Sequence, residues 1–532
     1  MKKKKKTKFK QMIKKYHNWT PSKLLVMVML ILPIVIYSFK EFNLDNDFWF
    51  LINTGKYIIN NGFPHIEPFT MHNDFNFIVQ QWLTDIIFYK IYSEFNIYGM
   101  YIFMIIINII ITCILYKICL LVSCNKIKLS LFTTILIVAI IKNLFIVTRP
   151  YIFDITLILL ELYLLELYIK NNNKYYLLGL PIISLLMINL HASMWPMIFV
   201  ILLPYYLGRI NTKYTTKEKY KLKPIIITTL IMLLLGIVNP YDIEAITYLF
   251  NSYGVEDINK FITEMKPLTL ESNPLSIIVY IFIFIIIISY YIKKKRVVNT
   301  RYLLLFLGTL YLTLSHIRGL MFLAIAGTLN LSYNLKDYCS EEEKETKNIL
   351  NEYVLPIILL IFFIIIIITN SSFKFEKDMA LSKVANYLDN NTGKNIKVYT
   401  NYNDGGYLEY RGYKCYIDPR AEVFIKSINK KEDIFKEFYE LQHGMINAKE
   451  FLNKYNFDYL LLEDDLLEVY INELPNYQKV YEITEDCYGI EKGYKLYKNI
   501  GIENEENNWN TKFFWSIRSR LANWYYNIFN TK

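Results

Sequence analysis

The stretch Asn46–Gly55 reads N-D-F-W-F-L-I-N-T-G and follows the first long apolar run of the chain, Lys23–Phe39. It places the carboxylate of Asp47 next to three aromatic residues, just where the chain leaves that run. Aromatic side chains collect at the boundary between a membrane and water. The sequence therefore predicts that Asp47 lies at a membrane surface, and the apolar runs around it decide the fold.

These runs make the chain too apolar for an ordinary soluble enzyme, because 54% of its 532 residues are hydrophobic and its mean hydropathy is +0.22. A helix needs about 20 apolar residues to cross a bilayer, and its backbone groups must pair with one another there. We expect a polytopic α-helical membrane protein with about 11 transmembrane helices, at residues 24–39, 98–122, 128–147, 151–169, 175–190, 194–208, 223–239, 276–292, 300–316, 318–335 and 353–370.

The positive charges predict the orientation of these helices, because loops on the cytoplasmic side are rich in Lys and Arg. The Lys-rich segment 1–22 precedes the first run and carries no small-residue cleavage site, so we expect a retained anchor with a cytoplasmic N-terminus. Every second loop is basic except 336–352, which is acidic. This pattern explains the net charge of +11 without a nucleic-acid partner and predicts a multi-pass protein of the bacterial plasma membrane.

Two long loops and the C-terminal part of the chain are expected on the external side. The transmembrane domain, 23–370, has long external loops at 40–97 and 241–275, and Ile78–Tyr92 in the first loop is amphipathic enough to predict an interfacial helix, with Asp85 on it. An extracytoplasmic α/β domain follows at 371–505. The amphipathic C-terminal helix, 506–532, could lie on the membrane or pack on that domain.

The external domain alternates between strand and helix patterns. We predict five strands and three helices, at Ile396–Thr400, Lys414–Ile417, Tyr459–Leu462, Lys479–Glu482 and Tyr494–Tyr497, and at Ser382–Leu388, Asp433–Leu441 and Ala448–Tyr455. Cys415 and Cys487 share this domain and could either pair or remain free thiols.

Asp47 has two interpretations. A carboxylate beside aromatic rings at a water–lipid boundary can hold a metal or act as a base on an acceptor hydroxyl. Alternatively, Asp45, Asn46 or Asp47 caps a helix over Phe48–Asn60 that ends near Gly62.

Three further external turns carry polar residues, which are costly at membrane depth and favour function. The first contains Arg149 and Asp154, the second His191, and the third His316 and Arg318. The alternatives are an ion pair between Arg149 and Asp154 and a hydrogen-bonded turn at His191. We expect all of these turns, with that of Asp47, to open on the same external face.

Two motifs in the first external loop resemble a known superfamily. Asp47–Gly55 fits D-x-[FWY]-[FWY]-x-x-x-x-G and Gly62–Thr70 fits G-x-P-x-x-[DE]-P-[FL]-[ST], which is similar to the GT-C membrane glycosyltransferases, including the oligosaccharyltransferase catalytic subunit. The R-P-x-x-F and N-x-H-x-S turns, with Gly405–Leu408 (G-G-Y-L) and Asp418–Arg420 (D-x-R), resemble a little-characterised bacterial branch.

The resemblance implies an enzyme that moves a sugar from a polyprenyl-phosphate donor to a cell-envelope glycan, lipid or protein. The implied catalytic residues are Asp47 and Asp154, which could also hold a divalent metal, Mg²⁺ or Mn²⁺. The implied substrate-binding residues are Trp49, Glu67, Arg149, His191 and Arg318, and the implied acceptor-binding residues are Asp418 and Arg420.

The chain departs from the oligosaccharyltransferase pattern, since W-W-D-Y-G is absent and no D-x-D follows the third span. Transfer to a sequon is therefore not expected, and metal dependence stays open. The alternative is a non-catalytic transporter or envelope-assembly scaffold with an external binding domain. A transporter should carry charges at mid-membrane, and the predicted spans have few, chiefly Glu161 and Glu166.

Overall fold

The computed structural model describes most of the chain, namely residues 22–41, 44–210, 215–216, 219–252, 262, 265–269, 276–292, 298–338, 354, 357–358, 361, 379–463, 466–471, 474, 476–487 and 490–501. The chain divides into two compact units. The helical unit comprises Met1–Leu44, Glu94–Ile246 and Ile262–Phe373, and the mixed unit comprises Asp45–Ser93, Thr247–Phe261 and Lys374–Lys532.

Helices occupy the predicted apolar runs as far as residue 335. They are α1 (Lys23–Glu41), α2 (Asp47–Asn61), α3 (Trp82–Val122), α4 (Ile127–Phe145), α5 (Tyr151–Asn171), α6 (Gly179–Leu190), α7 (Trp195–Leu207), α8 (Leu222–Leu235), α9 (Asp242–Ser252), α10 (Ser276–Ile292) and α11 (Thr300–Ser315), then α12 (Leu320–Phe322), a π-helix (Leu323–Gly327) and α13 (Leu329–Leu335). Of these, α2, α9 and the first turns of α3 belong wholly or partly to the mixed unit.

The length of these helices supports a membrane location only in part. Among the described residues, Trp82–Val122 is the one helix that is both long and apolar enough to cross a membrane. The shorter apolar helices are Lys23–Val35, Ile127–Ile141, Lys174–Leu190, Ala192–Leu207, Leu222–Leu235 and Ser276–Ile292. The architecture is thus mostly helical, while the number of membrane crossings stays a prediction. The predicted span at 353–370 lies mainly outside the described residues, as does the predicted C-terminal helix.

A buried ion pair holds three helices of the helical unit together. The Arg301 guanidinium on α11 contacts the Glu166 carboxylate on α5. Tyr205 on α7 and Tyr302 on α11 each donate a hydrogen bond of 2.8 Å to the same carboxylate. One of the two acidic residues noted within the predicted spans is therefore compensated by a cation. The other, Glu161, is fully buried, and neither of its carboxylate oxygens has a hydrogen-bond partner.

The mixed unit contains a five-stranded sheet in the order β4-β3-β5-β7-β6. Its strands are β3 (Lys397–Tyr399), β4 (Lys414–Cys415), β5 (Tyr459–Leu462), β6 (Tyr477–Cys487) and β7 (Ile490–Asn499), while β1 (Thr215–Thr216) and β2 (Val298–Asn299) form a two-residue ladder in the helical unit. Parallel pairing joins β4, β3 and β5, and antiparallel pairing joins β5, β7 and β6. All five predicted strands are confirmed, and β6 and β7 are longer than expected because they pair as one hairpin.

Helices of this unit pack around the sheet: α14 (Ala380–Asn391), α15 (Gly405–Tyr410), α16 (Lys426–Asn429), α17 (Ile434–Gln442), α18 (Ala448–Tyr455) and α19 (Leu466–Ile471). The three predicted helices correspond to α14, α17 and α18. Buried residues line one face of α18, at Ala448, Phe451, Leu452 and Tyr455, which is the spacing that predicted the helix. The thiol of Cys415 is free and buried, and the side chain of Cys487 lies outside the described residues.

Part of the loop predicted to be external packs against the C-terminal residues as part of the same unit. The Lys414 ammonium donates to the Pro68 carbonyl at 2.6 Å, the Met71 amide donates to the Cys415 carbonyl at 3.0 Å, and the His72 ring donates to the Tyr416 carbonyl at 2.8 Å. We assigned this loop, 40–97, to the transmembrane domain 23–370, and residues 371–505 to a separate domain. The structure groups them, because contacts between segments some 340 residues apart leave no local pattern in a sequence.

The amphipathic segment Ile78–Tyr92 is helical from Trp82 onward. Non-helical geometry at Asn96 (φ 52°, ψ −152°) divides α3 into two helices at a kink, in agreement with the separate segments predicted at 78–92 and 98–122. Two of its polar residues, Thr84 and Asp85, are fully buried. The polar face that predicted an interfacial helix is therefore partly covered by the rest of the mixed unit.

Candidate functional site

Asp47 is the first residue of α2 and its side chain is half-buried. The Asp47 amide donates to Oδ1 of Asp45 at 3.0 Å, and the amide of Phe48 donates to the Asp45 carbonyl at 3.0 Å. Asp45 therefore supplies the contacts that begin the helix, and Asn46 makes no side-chain cap. The helix ends just before Gly62, as predicted, and the capping role does not require the carboxylate of Asp47.

The aromatic residues after Asp47 hold α2 in the mixed unit. Trp49 is 2% exposed, and its ring packs against Phe48, Tyr92, Tyr407 and Tyr410 at centroid distances of 5.5, 5.8, 4.7 and 5.4 Å. These contacts make Trp49 a packing residue. Substrate binding by Trp49 stays a prediction, and in this conformation the indole has no exposed face with which to make it.

The glycine of the first motif serves a close approach between two helices. A Cβ added to Gly55 would lie 2.2 Å from the carbonyl oxygen of Asp85, far inside van der Waals contact. Only glycine lets α2 pass this close to the start of α3. Packing of Trp49 near the start of the motif and of Gly55 at its end thus fixes α2, and with it the position of Asp47.

The charge of Asp47 acts on a buried phenol, that of Tyr402. The Tyr402 hydroxyl donates to the Pro419 carbonyl at 2.5 Å. Desolvation, reinforced by the negative charges of Asp47, Glu422 and Asp418, raises the pKa of Tyr402 well above its usual value. Asp47 and Glu422 therefore act on the same phenol. Neither Tyr402 nor Glu422 belongs to a recognised motif, so the sequence alone did not point to them.

Arg420 lies at the centre of a buried ionic cluster, which we call the Arg420 cluster, and is 2% exposed. Its Nε donates to both Asp418 oxygens at 3.0 and 3.1 Å. Its Nη2 donates to Glu67 Oε1 at 2.9 Å and to Glu409 Oε2 at 3.3 Å. The local ion pair considered for Asp418 and Arg420 is present, and both residues are too deeply buried to meet an acceptor in this conformation.

The carboxylates of the Arg420 cluster differ in their environment. Glu67 also accepts the amides of Phe69 at 3.0 Å and Thr70 at 2.8 Å, so it orders the second motif as well as pairing with Arg420. Burial, together with the charge of Asp418, raises the pKa of Glu409 well above its usual value despite the nearby guanidinium. Substrate binding by Glu67 stays a prediction, and its described partners are all structural.

The helical unit brings three of the predicted external turns together. Oδ2 of Asp154 lies 2.6 Å from Nδ1 of His191. The rings of His191 and Tyr151 pack at 5.7 Å, and the Arg318 guanidinium lies 5.2 Å from the centroid of the Tyr151 ring. The charges of His191 and Arg318 both act on Asp154. Residues from the turns near 150, 191 and 318 therefore form one cluster, which we call the Asp154 cluster.

Within this cluster, Asp154 is fully buried while the His191 side chain is 12% exposed. Oδ1 of Asp154 has no hydrogen-bond partner. The partner of the Asp154 carboxylate is His191, so the predicted ion pair with Arg149 does not form. Arg149 precedes Tyr151 of the cluster by two residues and is half-buried, and its backbone amide donates to the Val147 carbonyl. His316 is exposed.

The residues proposed to hold a metal do not form a ligand set in the described structure. No group of three or more His, Cys, Asp or Glu side chains within the described ranges is arranged to hold a metal ion. Asp47 belongs to the mixed unit and Asp154 to the helical unit. Metal binding by this pair stays a prediction.

Comparison with known proteins shows the fold class. No protein-family profile matches the chain, and no curated protein sequence matches it. The crystal structure of the apo oligosaccharyltransferase from Archaeoglobus fulgidus is similar, with a TM-score of 0.50 and 11% sequence identity over 83% of this chain and 69% of that one. The same enzyme tethered to an acceptor peptide containing the NVT sequon gives a TM-score of 0.52 and 10% identity over the same shares. At such low identity the likeness shows a fold similar to that of the archaeal enzyme and nothing finer.

Proposed function

We propose that this protein is a GT-C-type glycosyltransferase that moves a sugar from a polyprenyl-phosphate donor to a cell-envelope acceptor. The observation that carries the proposal is the fold shared with the archaeal oligosaccharyltransferase over 83% of the chain. A fold hosts many functions, so the chemistry has to come from Asp47 and from the Asp154 cluster. We also propose that the protein belongs to the bacterial branch that the shorter motifs resemble.

The surface of the helical unit supports a membrane location. Large apolar side chains are exposed along its helices, such as Leu234 at 70%, Phe284 at 61% and Tyr311 at 71%. Many exposed large apolar side chains are unusual on a soluble protein and common where lipid covers the surface. We propose a multi-pass protein of a bacterial plasma membrane, with a cytoplasmic N-terminus and with the mixed unit outside.

Donor binding is assigned to the Asp154 cluster. A lipid-linked sugar presents a phosphate at the membrane surface, and the Arg318 guanidinium can bind phosphate oxygens through its planar array of donors. Its contact with the Tyr151 ring and the buried Asp154 carboxylate hold it in place. In the same cluster the Asp154 carboxylate orients His191, the more exposed partner of the pair. Arg318 would stabilise the negative charge that develops on the leaving phosphate.

Acceptor activation is assigned to Asp47. Its amide and helix are held by Asp45, so its carboxylate is not required for capping. A carboxylate in this position can take the proton of an acceptor hydroxyl as that oxygen attacks the sugar carbon and the bond to phosphate breaks. The archaeal enzyme was crystallised with an acceptor peptide, but W-W-D-Y-G is absent here. We therefore propose an envelope glycan, lipid or protein acceptor rather than a sequon.

The proposal is tested by comparing envelope glycans and lipid-linked sugars with and without the gene. Loss of the protein should cause a polyprenyl-phosphate sugar to accumulate. Asp47→Asn should fail to reverse the accumulation, with transfer reduced by about 100-fold or more, as expected for loss of a general base. Asp74→Asn is the matched control, because Asp74 lies in the same loop and is exposed.

Two results would contradict the proposal. If deletion changes neither the lipid-linked sugars nor the envelope glycans, the glycosyltransferase assignment is wrong. If Asp47→Asn restores transfer as fully as Asp74→Asn does at equal membrane expression, Asp47 is not the base.

A further inference from the structure

The Arg420 cluster connects segments that are far apart in the sequence. Glu67 comes from the first external loop, Glu409 from α15, and Asp418 from the turn that follows β4. Arg420 and Glu67 are 353 residues apart, and their side chains are fully or almost fully buried. One guanidinium therefore joins three pieces of the mixed unit where water cannot replace any of its contacts.

Aromatic rings enclose the same guanidinium. Its central carbon lies 5.9 Å from the ring centroid of Phe50, 5.3 Å from that of Phe69 and 5.2 Å from that of Phe77. Cations at this distance from an aromatic ring are attracted to it. Phe69 and Phe77 belong to the first external loop, and Phe50 lies on α2, one helical turn beyond Asp47.

A second set of contacts places α2 against the C-terminal residues. The Trp49 ring meets the Tyr407 ring edge to face at 4.7 Å, and a Cβ added to Gly406 would lie 3.6 Å from the backbone nitrogen and Cβ of Phe50. Helix α15 thus lies directly on the first turn of α2. The Arg420 cluster makes a second connection, because Arg420 contacts both Glu409 on α15 and Glu67 in the loop.

A lysine could not make these contacts. The Arg420 fork reaches Asp418 through Nε and Nη2, and Glu67 and Glu409 through Nη2, while its planar face lies near three rings. A lysine carries one compact charge without a planar fork, so Arg to Lys is not a conservative change at such a site. Burial makes each lost contact costly, because the carboxylate left behind has no water to pair with.

We infer that Arg420 is a positioning residue, which fixes the first turn of α2 and the Glu67 loop and thereby holds Asp47 in place. The inference rests on the proposed function only in giving Asp47 a catalytic role. It assigns Arg420 a purpose other than acceptor binding. Arg420 acts on the reaction through Asp47 and does not touch the substrate.

The test measures backbone exchange as well as activity. Amide hydrogen exchange is followed in the purified full-length protein in nanodiscs, for the wild type, Arg420→Lys and Glu67→Gln. Peptides covering Asp47–Gly55 and Glu67–Met71 should exchange faster by about tenfold or more, since the lost bonds are charge-assisted. Peptides from α18 should be unchanged. Arg411→Lys is the matched control, because Arg411 pairs with Asp389 and not with Glu67.

The variants separate a local effect from general unfolding. Glu67→Gln removes one arm of the cluster and leaves the Asp418 pair, so it remains informative if Arg420→Lys does not fold. Unchanged exchange at Asp47–Gly55 in the folded variants would overturn the inference. Equal acceleration in α18 would overturn it as well, since Arg420 would then stabilise the whole unit without a specific effect on α2.

Transfer activity gives an independent readout. Arg420→Lys should lower kcat for transfer while KM changes little, and it should add no further loss in an Asp47→Asn background, because both changes act on the same group. An additional loss in that background would contradict positioning through Asp47. If Asp47→Asn is fully active while the exchange result holds, the proposed function fails and the structural role of Arg420 stands.

Discussion

Replacement of Gly405 by alanine tests the packing of α15 against the sheet. A Cβ built on Gly405 lies 1.9 Å from the carbonyl oxygen of Ile417 and 3.1 Å from Oγ1 of Thr400. Ordinary contact begins at 3.4 Å, and the nearest atom belongs to the backbone and cannot rotate away. Either α15 or the Ile417 peptide must therefore move.

The size of the effect follows from these contacts. Overpacking a well-packed site costs about 1–3 kcal/mol. The hydrogen bond of 3.1 Å from Thr400 to the Ile417 carbonyl is lost when that peptide moves, which adds about 1 kcal/mol. The total of about 2–4 kcal/mol should lower the unfolding midpoint by about 4–16 °C in a unit of this size.

The neighbouring glycine is the control. A Cβ on Gly406 lies 3.4 Å from Cδ of Pro419 and 3.6 Å from Phe50, which is ordinary contact. Neither glycine has a positive φ, so alanine costs nothing in backbone conformation at either position. Gly406→Ala should therefore unfold within about 2 °C of the wild type, helped by the higher helix propensity of alanine.

The assay is tryptophan fluorescence during heating of the full-length protein in detergent micelles, at one fixed scan rate because membrane proteins often unfold irreversibly. The reasoning is refuted if Gly405→Ala unfolds within 2 °C of the wild type, or if Gly406→Ala loses as much stability as Gly405→Ala does.

Other variants test the charged groups. The pKa of Glu409 is raised, so the folded protein loses stability as pH rises above the ordinary value of 4.5. At pH 8, Glu409→Gln should therefore have an unfolding temperature equal to or above that of the wild type. A lower unfolding temperature would argue against a buried neutral carboxyl at this position. Desolvation opposes ionisation of Asp389, but hydrogen bonds, the largest from Lys394, lower its pKa to about 2. A carboxyl group with a lowered pKa stabilises the folded state above its pKa in the unfolded chain, and this stabilisation is lost as pH falls through its pKa in the folded protein. Asp389→Asn should therefore lower the free energy of unfolding by about 1 kcal/mol at pH 7, after allowance for solvent screening, and by progressively less towards pH 2. A loss of stability that does not change with pH would contradict this. Arg301→Met should destabilise the helical unit by about 3–5 kcal/mol, because Glu166 is left without its cation. Adding Glu166→Leu should recover most of the lost stability, as measured by chemical unfolding. The ion-pair explanation is refuted if the double variant recovers none.

The sequence by itself determined the elements whose causes are local. Apolar runs gave the helices of the helical unit up to residue 335, and three- and four-residue spacing gave α18 almost to the residue. The helix that begins beside Asp47 and ends before Gly62 was predictable from its capping residues and its glycine. These features depend on neighbours within one or two turns, so a single sequence contains them.

The tertiary structure alone decided which residues meet. Asp154 could have paired with Arg149, five residues before it, and instead pairs with His191, 37 residues away. The G-G-Y-L motif did not reveal why residue 405 is a glycine, and the structure shows that α15 passes too close to Ile417 for a side chain there. The motifs marked Trp49 and Arg420 as candidate binding residues, and both are buried.

The reason is the range of the forces involved. Helix and strand periodicity reports only whether a side chain faces an apolar or a polar environment. Whether a carboxylate, a guanidinium or an indole is covered depends on segments that approach from elsewhere in the chain, as Glu67 approaches Arg420 across 353 positions. Desolvation then fixes the role of each group, because a buried charge must be paired by its neighbours before it can take part in any chemistry.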